Sequence, residues 1–155
     1  MSISKVRDYL KPYGLDQRIK EFDSSSATVL LAAVALGCEP DRIAKSLTFM
    51  VHEQPVMVVM SGQTRVDNAK FRAAFHTKAK MLSPQQVETL VGHLVGGVCP
   101  FAVNPGVKVY LDQSLRRYSS VFPACGNSHS AIELSLAELE HCSGYLDWVD
   151  VGKAE

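Results

Sequence analysis

A glycine-rich bend and a distant lysine are the residues of this chain whose types and setting suggest chemistry. The bend, Gly92–Phe101, lies inside an apolar run, and Lys45 interrupts the apolar stretch Ile43–Leu47 well upstream of it. Glycine has no Cβ, so the bend can adopt positive φ values and approach a ligand closely. Pro100 lacks an N–H group and restricts Cys99 to extended geometry, which stiffens the bend. A stiff group of inward-pointing amides suits a carbonyl oxygen, and the pattern predicts a small site for acyl hydrolysis.

The position of Lys45 allows two interpretations. It lies where a central strand is expected to begin, and a buried ammonium is costly unless an anion or several carbonyl groups receive it. The alternative is a surface lysine whose stem covers apolar neighbours while its charge stays in water.

Two other polar positions follow strand-like runs. Asp112 comes directly after such a run, so its carboxylate either caps the next turn or contributes to a site. His129 lies in the polar bend Gly126–Ser130, and a loop position favours a functional imidazole over a core one.

A cysteine nucleophile remains an alternative at this stage. Cys99 lies in the glycine bend, and Cys125 precedes His129 by four residues, although proximity in sequence does not make a thiolate–imidazole pair. No serine lies in a G-x-S-x-G setting, and no Gly-Lys-Ser/Thr follows the glycines, so neither a serine hydrolase elbow nor a P-loop is supported.

The composition predicts one globular domain over residues 1–155. With 46% hydrophobic and 21% charged residues, 155 residues can bury a single core. Sixteen basic and sixteen acidic residues give zero net charge, so we expect no DNA-binding face and at most local contact with nucleic acid. The four cysteines are far apart in the sequence, which indicates reduced thiols, and no cysteine or histidine pair has the spacing of zinc ligands. Without an apolar leader or a long apolar run, we expect a cytoplasmic protein with no membrane partner.

Hydrophobic periodicity and capping residues predict an α+β fold, because strands and helices mix without strict βαβ alternation. The expected helix over 27–36 has a serine before it as N-cap and Gly37 after it, and should be buried on most sides. Other expected helices cover 4–12, 67–75, and the segments that begin at Ser83 and Ser135. Expected strands cover 18–23, 46–51, 55–60, 107–111, 120–124, 131–134 and 148–151, and those over 46–51 and 55–60 are expected to form a central hairpin.

The chain resembles the YbaK/prolyl-tRNA-synthetase-associated domain family over nearly its whole length. This family contains the free-standing and inserted editing domains that deacylate mischarged tRNA. The lysine and the glycine bend together carry most of the resemblance. The matching segments are Ser26–Val29, Ile43–Leu47, Gly62 with Val66–Lys70, Gly92–Phe101, Asp112–Leu115, and Gly126 with His129–Leu134.

The resemblance implies a mixed, mostly antiparallel central sheet surrounded by helices, and ester hydrolysis by water without a metal or organic cofactor. The implied substrate is the acceptor end of an aminoacyl-tRNA, with Ala, Cys, Ser or Thr as the removed residue and proline tRNA as the acceptor; a synthetase is a further implied partner. A non-catalytic module that binds an RNA end or a synthetase is the alternative. The implied catalytic residues are Lys45, Gly96, Gly97, Val98 and Pro100, and the implied substrate-binding residues are Thr28, Asp112, His129 and Ser130.

Overall fold

Two long antiparallel strands, Ile43–Val51 and Gln54–Ser61, form the centre of the fold in the computed structural model, which describes residues 2–154. Their register runs from Ala44 opposite Ser61 to Val51 opposite Gln54. His52 and Glu53 connect them at φ 48° and 66°, the left-handed geometry that suits the twist of a two-residue hairpin. The predicted central hairpin is confirmed.

The remaining elements surround this hairpin. The five helices within residues 2–154 are α1 (Ser2–Leu10), α2 (Val29–Leu36), α3 (Asn68–Phe75), α4 (Pro84–Gln86, extended by a π-helical segment Val87–Val91) and α5 (Leu136–Cys142). The strands are β1 (Lys20–Glu21), β2 (Ile43–Val51), β3 (Gln54–Ser61), β4 (Thr64–Val66), β5 (Lys108–Asp112), β6 (Ser120–Pro123), β7 (Ser130–Ala131), β8 (Leu134–Ser135), β9 (Asp147–Val149) and β10 (Gly152–Ala154).

Six of these strands form one mixed sheet in the order β8-β6-β2-β3-β5-β9. Antiparallel pairing gives its longest ladder, β2 with β3, and joins β6 to β8. Parallel pairing joins β2 to β6, β3 to β5 and β5 to β9, which is three of the five neighbouring pairs within residues 2–154. The predicted α+β class with a mixed sheet is confirmed, and antiparallel pairing prevails at its centre rather than throughout.

Apolar side chains cover both faces of the sheet. On one face, Phe49, Val58 and Met60 pack with Phe71 and Phe75 of α3. On the other face, the strand residues Met57, Val59, Val109 and Leu111 form one buried cluster with Val6 and Leu10 of α1 and Leu139 of α5. Neighbouring side chains of a strand point to opposite faces of the sheet, so the core is divided into two clusters.

Most predicted helix starts are confirmed by their capping bonds. Asp67 accepts from the Lys70 amide, and Ser83 and Ser135 each form a capping box with the third helical residue. The predicted strand over 18–23 shrinks to β1 behind a 3₁₀ turn, Asp16–Arg18, and the predicted strand over 131–134 divides into β7 and β8.

Helix α2 differs from the prediction in two respects. Its N-cap is Thr28, whose hydroxyl accepts from the Leu31 amide, rather than the preceding serine. It is also not buried on most sides, since Leu30 is 65% exposed and Val34 is 82% exposed. Only Ala32 and Ala33 are buried in this helix, because α2 packs through one narrow stripe against Ile43 of β2 and Phe122 of β6.

Glu138, in the first turn of α5, makes the stability of the fold depend on pH in the acid range. Hydrogen bonds from Arg18, with a further one from the Ser135 amide, lower the pKa of Glu138 from 4.5 to about 2. A lowered pKa means that this carboxylate stabilises the fold above pH 4.5 and that the contribution is lost as the pH falls towards 2.

We therefore expect Glu138→Gln to lower the urea midpoint at neutral pH, with the difference from the parent protein shrinking near pH 3. Glu88→Gln, at an exposed position in the π-helical segment, is the matched control and should leave the midpoint unchanged. A difference between Glu138→Gln and the parent that stays constant down to that acid pH would contradict this account.

Candidate active site

A cavity of about 390 Å³ opens beside the outer edge of β2. Five segments surround it: the start of α2, the first two thirds of β2, residues 81–87, the glycine bend, and the chain from the end of β6 to β7. Most of the lining is apolar. The polar side chains and bend residues of the lining include Ser26, Thr28, Lys45, Ser46, Gly96, Val98 and Ser130.

The cavity exists because β2 pairs with different neighbours at its two ends. At its start, Ile43 and Ala44 pair with β6, which ends at Pro123. Towards its other end, the Thr48 carbonyl accepts from the Leu82 amide at 3.0 Å. The stretch between these contacts, residues 45–47, lines the cavity.

Lys45 reaches into this cavity from β2 with a half-buried side chain. Its ammonium group donates to the carbonyl oxygen of Gly62 at 3.1 Å. Gly62 fits there because any Cβ would overlap the Pro40 carbonyl and the side chain of Val29. The hydrogen bond fixes the cation at the α2 end of the cavity, so Lys45 is not a surface lysine that extends into solvent.

The glycine bend contributes Val95, Gly96 and Val98 to the cavity wall. Gly92 ends the π-helical segment at φ 94°, and Gly96 takes φ 98°, so both positions use the conformation that glycine tolerates. The Gly97 amide donates to the Leu94 carbonyl, and the Gly97 carbonyl accepts from the Gly126 amide, both at 3.0 Å. The bend is therefore bonded internally and to the loop that leads into β7.

Buried contacts anchor the two ends of the bend. The Lys5 ammonium of α1 donates to the Gly92 carbonyl at 2.8 Å. His93 is buried, and its Nε2 lies 2.8 Å from the carbonyl oxygen of Phe101, which can only accept, so Nε2 carries the proton. Burial lowers the pKa of His93, which keeps the imidazole neutral and suited to this structural bond. Sequence reasoning did not identify Lys5 or His93, because the partner of each is a backbone carbonyl.

Comparison with known proteins identifies the chain's relatives. Residues 23–142 match the family model described as the aminoacyl-tRNA editing domain. The chain belongs to the aminoacyl-tRNA editing domain family. It is 45% identical to the uncharacterized protein YwhH of Bacillus subtilis (strain 168), over 99% of this chain and 98% of that protein.

Two further similar proteins have names that refer to the charging of proline tRNA. A crystallised protein proposed to be a trans-editing enzyme for prolyl-tRNA synthetase has a TM-score of 0.88 and 28% identity, covering 99% of this chain and 98% of the other. A proline–tRNA ligase of Lactiplantibacillus plantarum is 24% identical over 69% of this chain, which corresponds to only 19% of the ligase.

The structure brings together five of the residues that the sequence assigns to the site. They come from four segments that are far apart in the sequence: the N-cap of α2, strand β2, the glycine bend and strand β7. Those that line the cavity are Thr28, Lys45, Gly96, Val98 and Ser130.

The other four assigned residues lie outside this lining and support it. The Gly97 backbone packs against Gly126 and Asn127, and Pro100 is buried behind the bend. The Asp112 carboxylate is buried and accepts from the Ser114 and Val151 amides, both at 2.9 Å, so it caps a turn and holds the chain that leads into β10. His129 is exposed, and its Nδ1 lies 3.1 Å from the Ser24 carbonyl oxygen, which ties two loops together. Neither Asp112 nor His129 lines the cavity, so their assignment as substrate-binding residues stays a prediction that this placement does not support.

Two lining residues, Ser26 and Ser46, escaped the sequence assignment. Ser26 belongs to the turn before α2, and Ser46 follows Lys45 in β2. Serines are common in turns and on strands, so residue type gives no signal, and only the packing of distant segments brings these two to one cavity.

The thiols are poorly placed for nucleophilic catalysis. Cys99 is fully buried behind the bend, and burial raises its pKa to about 12. Cys125 is also buried, which raises its pKa well above the ordinary value, while His129 faces Ser24 instead. Since the thiolate is the reactive form, this geometry argues against a cysteine nucleophile.

Membrane-spanning helices and metal-binding clusters would indicate other classes of protein. Among residues 2–154, no helix has the length and apolar character needed to cross a bilayer. The same part of the chain contains no cluster of three or more His, Cys, Asp or Glu side chains suited to holding a metal ion.

Thiol reactivity tests this placement without any assumption about activity. All four cysteines are free, and Cys38 is partly exposed whereas Cys99, Cys125 and Cys142 are buried. We expect the native protein to react with a thiol reagent at Cys38 alone among these four, and slowly because burial also raises the pKa of that thiol. Denatured protein should react at all four, and rapid native labelling of Cys99, located by peptide mapping, would contradict the prediction.

The packing of Gly97 gives a second test. A Cβ at this position would overlap the backbone of Gly126 and Asn127, so Gly97→Ala must displace one of the two loops. We expect a loss of about 1–3 kcal/mol in the free energy of unfolding, measured by urea denaturation. Gly106→Ala is the comparison, since a Cβ there meets nothing and only its φ of 94° opposes the change. If Gly97→Ala lowers the free energy of unfolding by no more than Gly106→Ala does, the two loops are not packed as described.

Proposed function

We propose that this protein is an aminoacyl-tRNA deacylase that acts in trans and hydrolyses the ester of mischarged tRNA. The observation that carries the proposal is the meeting of Lys45 with Gly96 and Val98 around one cavity, in a chain of the aminoacyl-tRNA editing domain family. The match over nearly its full length to a protein proposed to be a trans-editing enzyme supports action on tRNA charged by another protein.

In this proposal, backbone amides of the bend receive the developing negative charge on the ester carbonyl. The Gly97 amide already donates to Leu94, and Pro100 has no N–H group, so the donors are the amides of the two lining residues, Gly96 and Val98. One well-placed donor of this kind is worth roughly 3–4 kcal/mol of barrier reduction. The bonds of Gly97 to Leu94 and Gly126 hold the bend in place, so little reorganisation accompanies the reaction.

Lys45 positions the substrate in the same proposal. Its ammonium group donates to the Gly62 carbonyl, and Lys45 lines the same cavity as the bend. A cation there attracts the oxygen atoms of the terminal nucleotide and of the ester, which orients the carbonyl towards Gly96 and Val98. Water is the nucleophile, since the buried thiols have raised pKa values.

The mouth of the cavity suits the end of an RNA chain. Met81 and Val95 line the cavity and are 56% and 62% exposed, so an apolar surface surrounds the opening. Such a surface packs against the faces of a base or ribose, while the apolar lining accepts a small acyl group such as that of Ala, Cys, Ser or Thr. A synthetase pocket excludes smaller amino acids poorly, so a second site that hydrolyses their esters from tRNA complements it. Proline tRNA as the acceptor, a synthetase as partner and a cytoplasmic location belong to the same proposal.

Lys45→Ala tests the proposal directly. With a panel of mischarged tRNAs, the parent protein should release the amino acid in a first-order reaction, and Lys45→Ala should lower kcat/KM by about 100-fold or more, equivalent to ~3 kcal/mol. The matched control is Lys108→Ala, at an exposed position at the start of β5, with circular dichroism to verify folding of both variants. Turnover retained by Lys45→Ala would contradict the assigned role, and binding of tRNA without turnover by the parent would favour a non-catalytic module.

A further inference from the structure

Three serines that line the cavity, Ser26, Ser46 and Ser130, have hydroxyl groups that residues 2–154 leave without a hydrogen-bonding partner. Ser46 lies on β2 next to Lys45, whereas Ser26 and Ser130 lie on the side of the glycine bend. Ser26 is 7% exposed and Ser130 is 1% exposed, and both line the cavity. Neither hydroxyl oxygen has a partner among residues 2–154. Buried polar groups are normally hydrogen-bonded, so an unpartnered pair beside a cavity is a feature that requires an explanation.

The two serines lie next to the bend that contains Gly96. The Ser26 amide donates to the Ser128 carbonyl at 2.6 Å, which aligns the turn before α2 with the chain entering β7. The Gly96 backbone packs against both segments, since a Cβ there would lie 3.2 Å from that of Ala27 and 3.5 Å from that of Ser128. Ser26 is the neighbour of Ala27 in the chain, and Ser130 follows Ser128 by two residues.

This placement matters for the acyl group whose carbonyl is bound at the bend. In a seryl or threonyl ester, the side-chain hydroxyl oxygen is only three bonds from the carbonyl carbon. A substrate held by Gly96 and Val98 therefore brings its β-substituent close to the wall formed by Ser26 and Ser130. A serine hydroxyl can turn towards such a group by changing its χ1 rotamer, without movement of the backbone.

The physical consequence is selectivity for a hydroxyl over a methyl group. An aliphatic side chain of the same size leaves both serine hydroxyls unpaired, whereas a substrate hydroxyl both donates and accepts and so pairs with them. Sites built to bond a substrate hydroxyl reject the analogue that lacks it more strongly than apolar pockets reject an isostere.

We propose that Ser26 and Ser130 are specificity-determining residues that make the cavity prefer a hydroxyl-bearing acyl group, seryl or threonyl, over its aliphatic isostere. The inference rests on the proposed function for the identity of the substrate. It goes beyond that function in naming the substrate class and the two side chains that select it.

The experiment compares isosteric pairs of charged tRNA. Seryl-tRNA is paired with 2-aminobutyryl-tRNA and threonyl-tRNA with valyl-tRNA, so each pair differs by a hydroxyl in place of a methyl group. We expect the parent protein to favour the hydroxylated member by about tenfold in kcat/KM. The double variant Ser26→Ala/Ser130→Ala should bring that ratio close to one by slowing only the hydroxylated esters.

The control is Ser143→Ala, which removes another buried hydroxyl with no partner among residues 2–154, located at the end of α5. It should leave the ratio unchanged, and thermal melts should show all variants folded. Equal loss on both members of a pair would mean that the serines bind the α-ammonium group or only support the fold, and would overturn the proposal. An unaltered ratio in the double variant would overturn it as well.

A binding measurement separates this inference from the proposed function. Adenosine carrying seryl or 2-aminobutyryl groups through a stable 3′-amide can be titrated into the parent protein by calorimetry. If no ester is hydrolysed, the deacylase proposal fails, while tighter binding of the seryl amide by about tenfold would still support the selectivity. Equal affinity for the two amides would overturn the selectivity even if hydrolysis is observed.

Discussion

The site depends on the interrupted pairing of strand β2. Along β3 this strand is paired from Ala44 to Val51, but its other edge is paired with β6 only at its start and contacts the segment before Ser83 near its end. Strand β6 ends at Pro123, whose carbonyl accepts from the Ile132 amide, and the chain then pairs with β7 through Ala124 and Ala131. The gap that this leaves beside Lys45 is the cavity, so the site forms where the pairing of β2 with β6 stops.

Close backbone packing then fixes the wall of the cavity that includes the bend. Gly97 lies against Gly126 and Asn127 without space for a Cβ, and hydrogen bonds join the turn before α2 to the chain entering β7. The wall consists of three loops bonded to one another rather than of one rigid element. Buried contacts from Lys5 and His93 hold the ends of the bend, which explains how a loop can present amides in a fixed direction.

The local signals in the sequence predicted the local structure well. Capping residues such as Asp67, Ser83 and Ser135 act within a few residues of the chain, and each begins a helix as predicted. The hairpin of β2 and β3 followed from two apolar runs around a short polar turn. The exposure of α2 was missed, because a run rich in alanine and leucine is compatible with burial on all sides or on one narrow stripe. The short strands β7 and β8 were merged for a similar reason, since alternation does not reveal which neighbour a strand pairs with.

The sequence alone determined the kinds of groups that could act: a lysine among apolar residues and a bend whose glycines permit close approach of the backbone. It also determined the family, because both motifs occur together with their spacing along the chain. Only the tertiary structure decided which residues meet. It placed Thr28, Ser130 and the unforeseen Ser26 at the same cavity as Lys45, and it assigned Asp112 and His129 to holding the chain together. The physical reason is that contacts between distant segments depend on how the strands pair and where that pairing stops, and neither is encoded in the residues at the site.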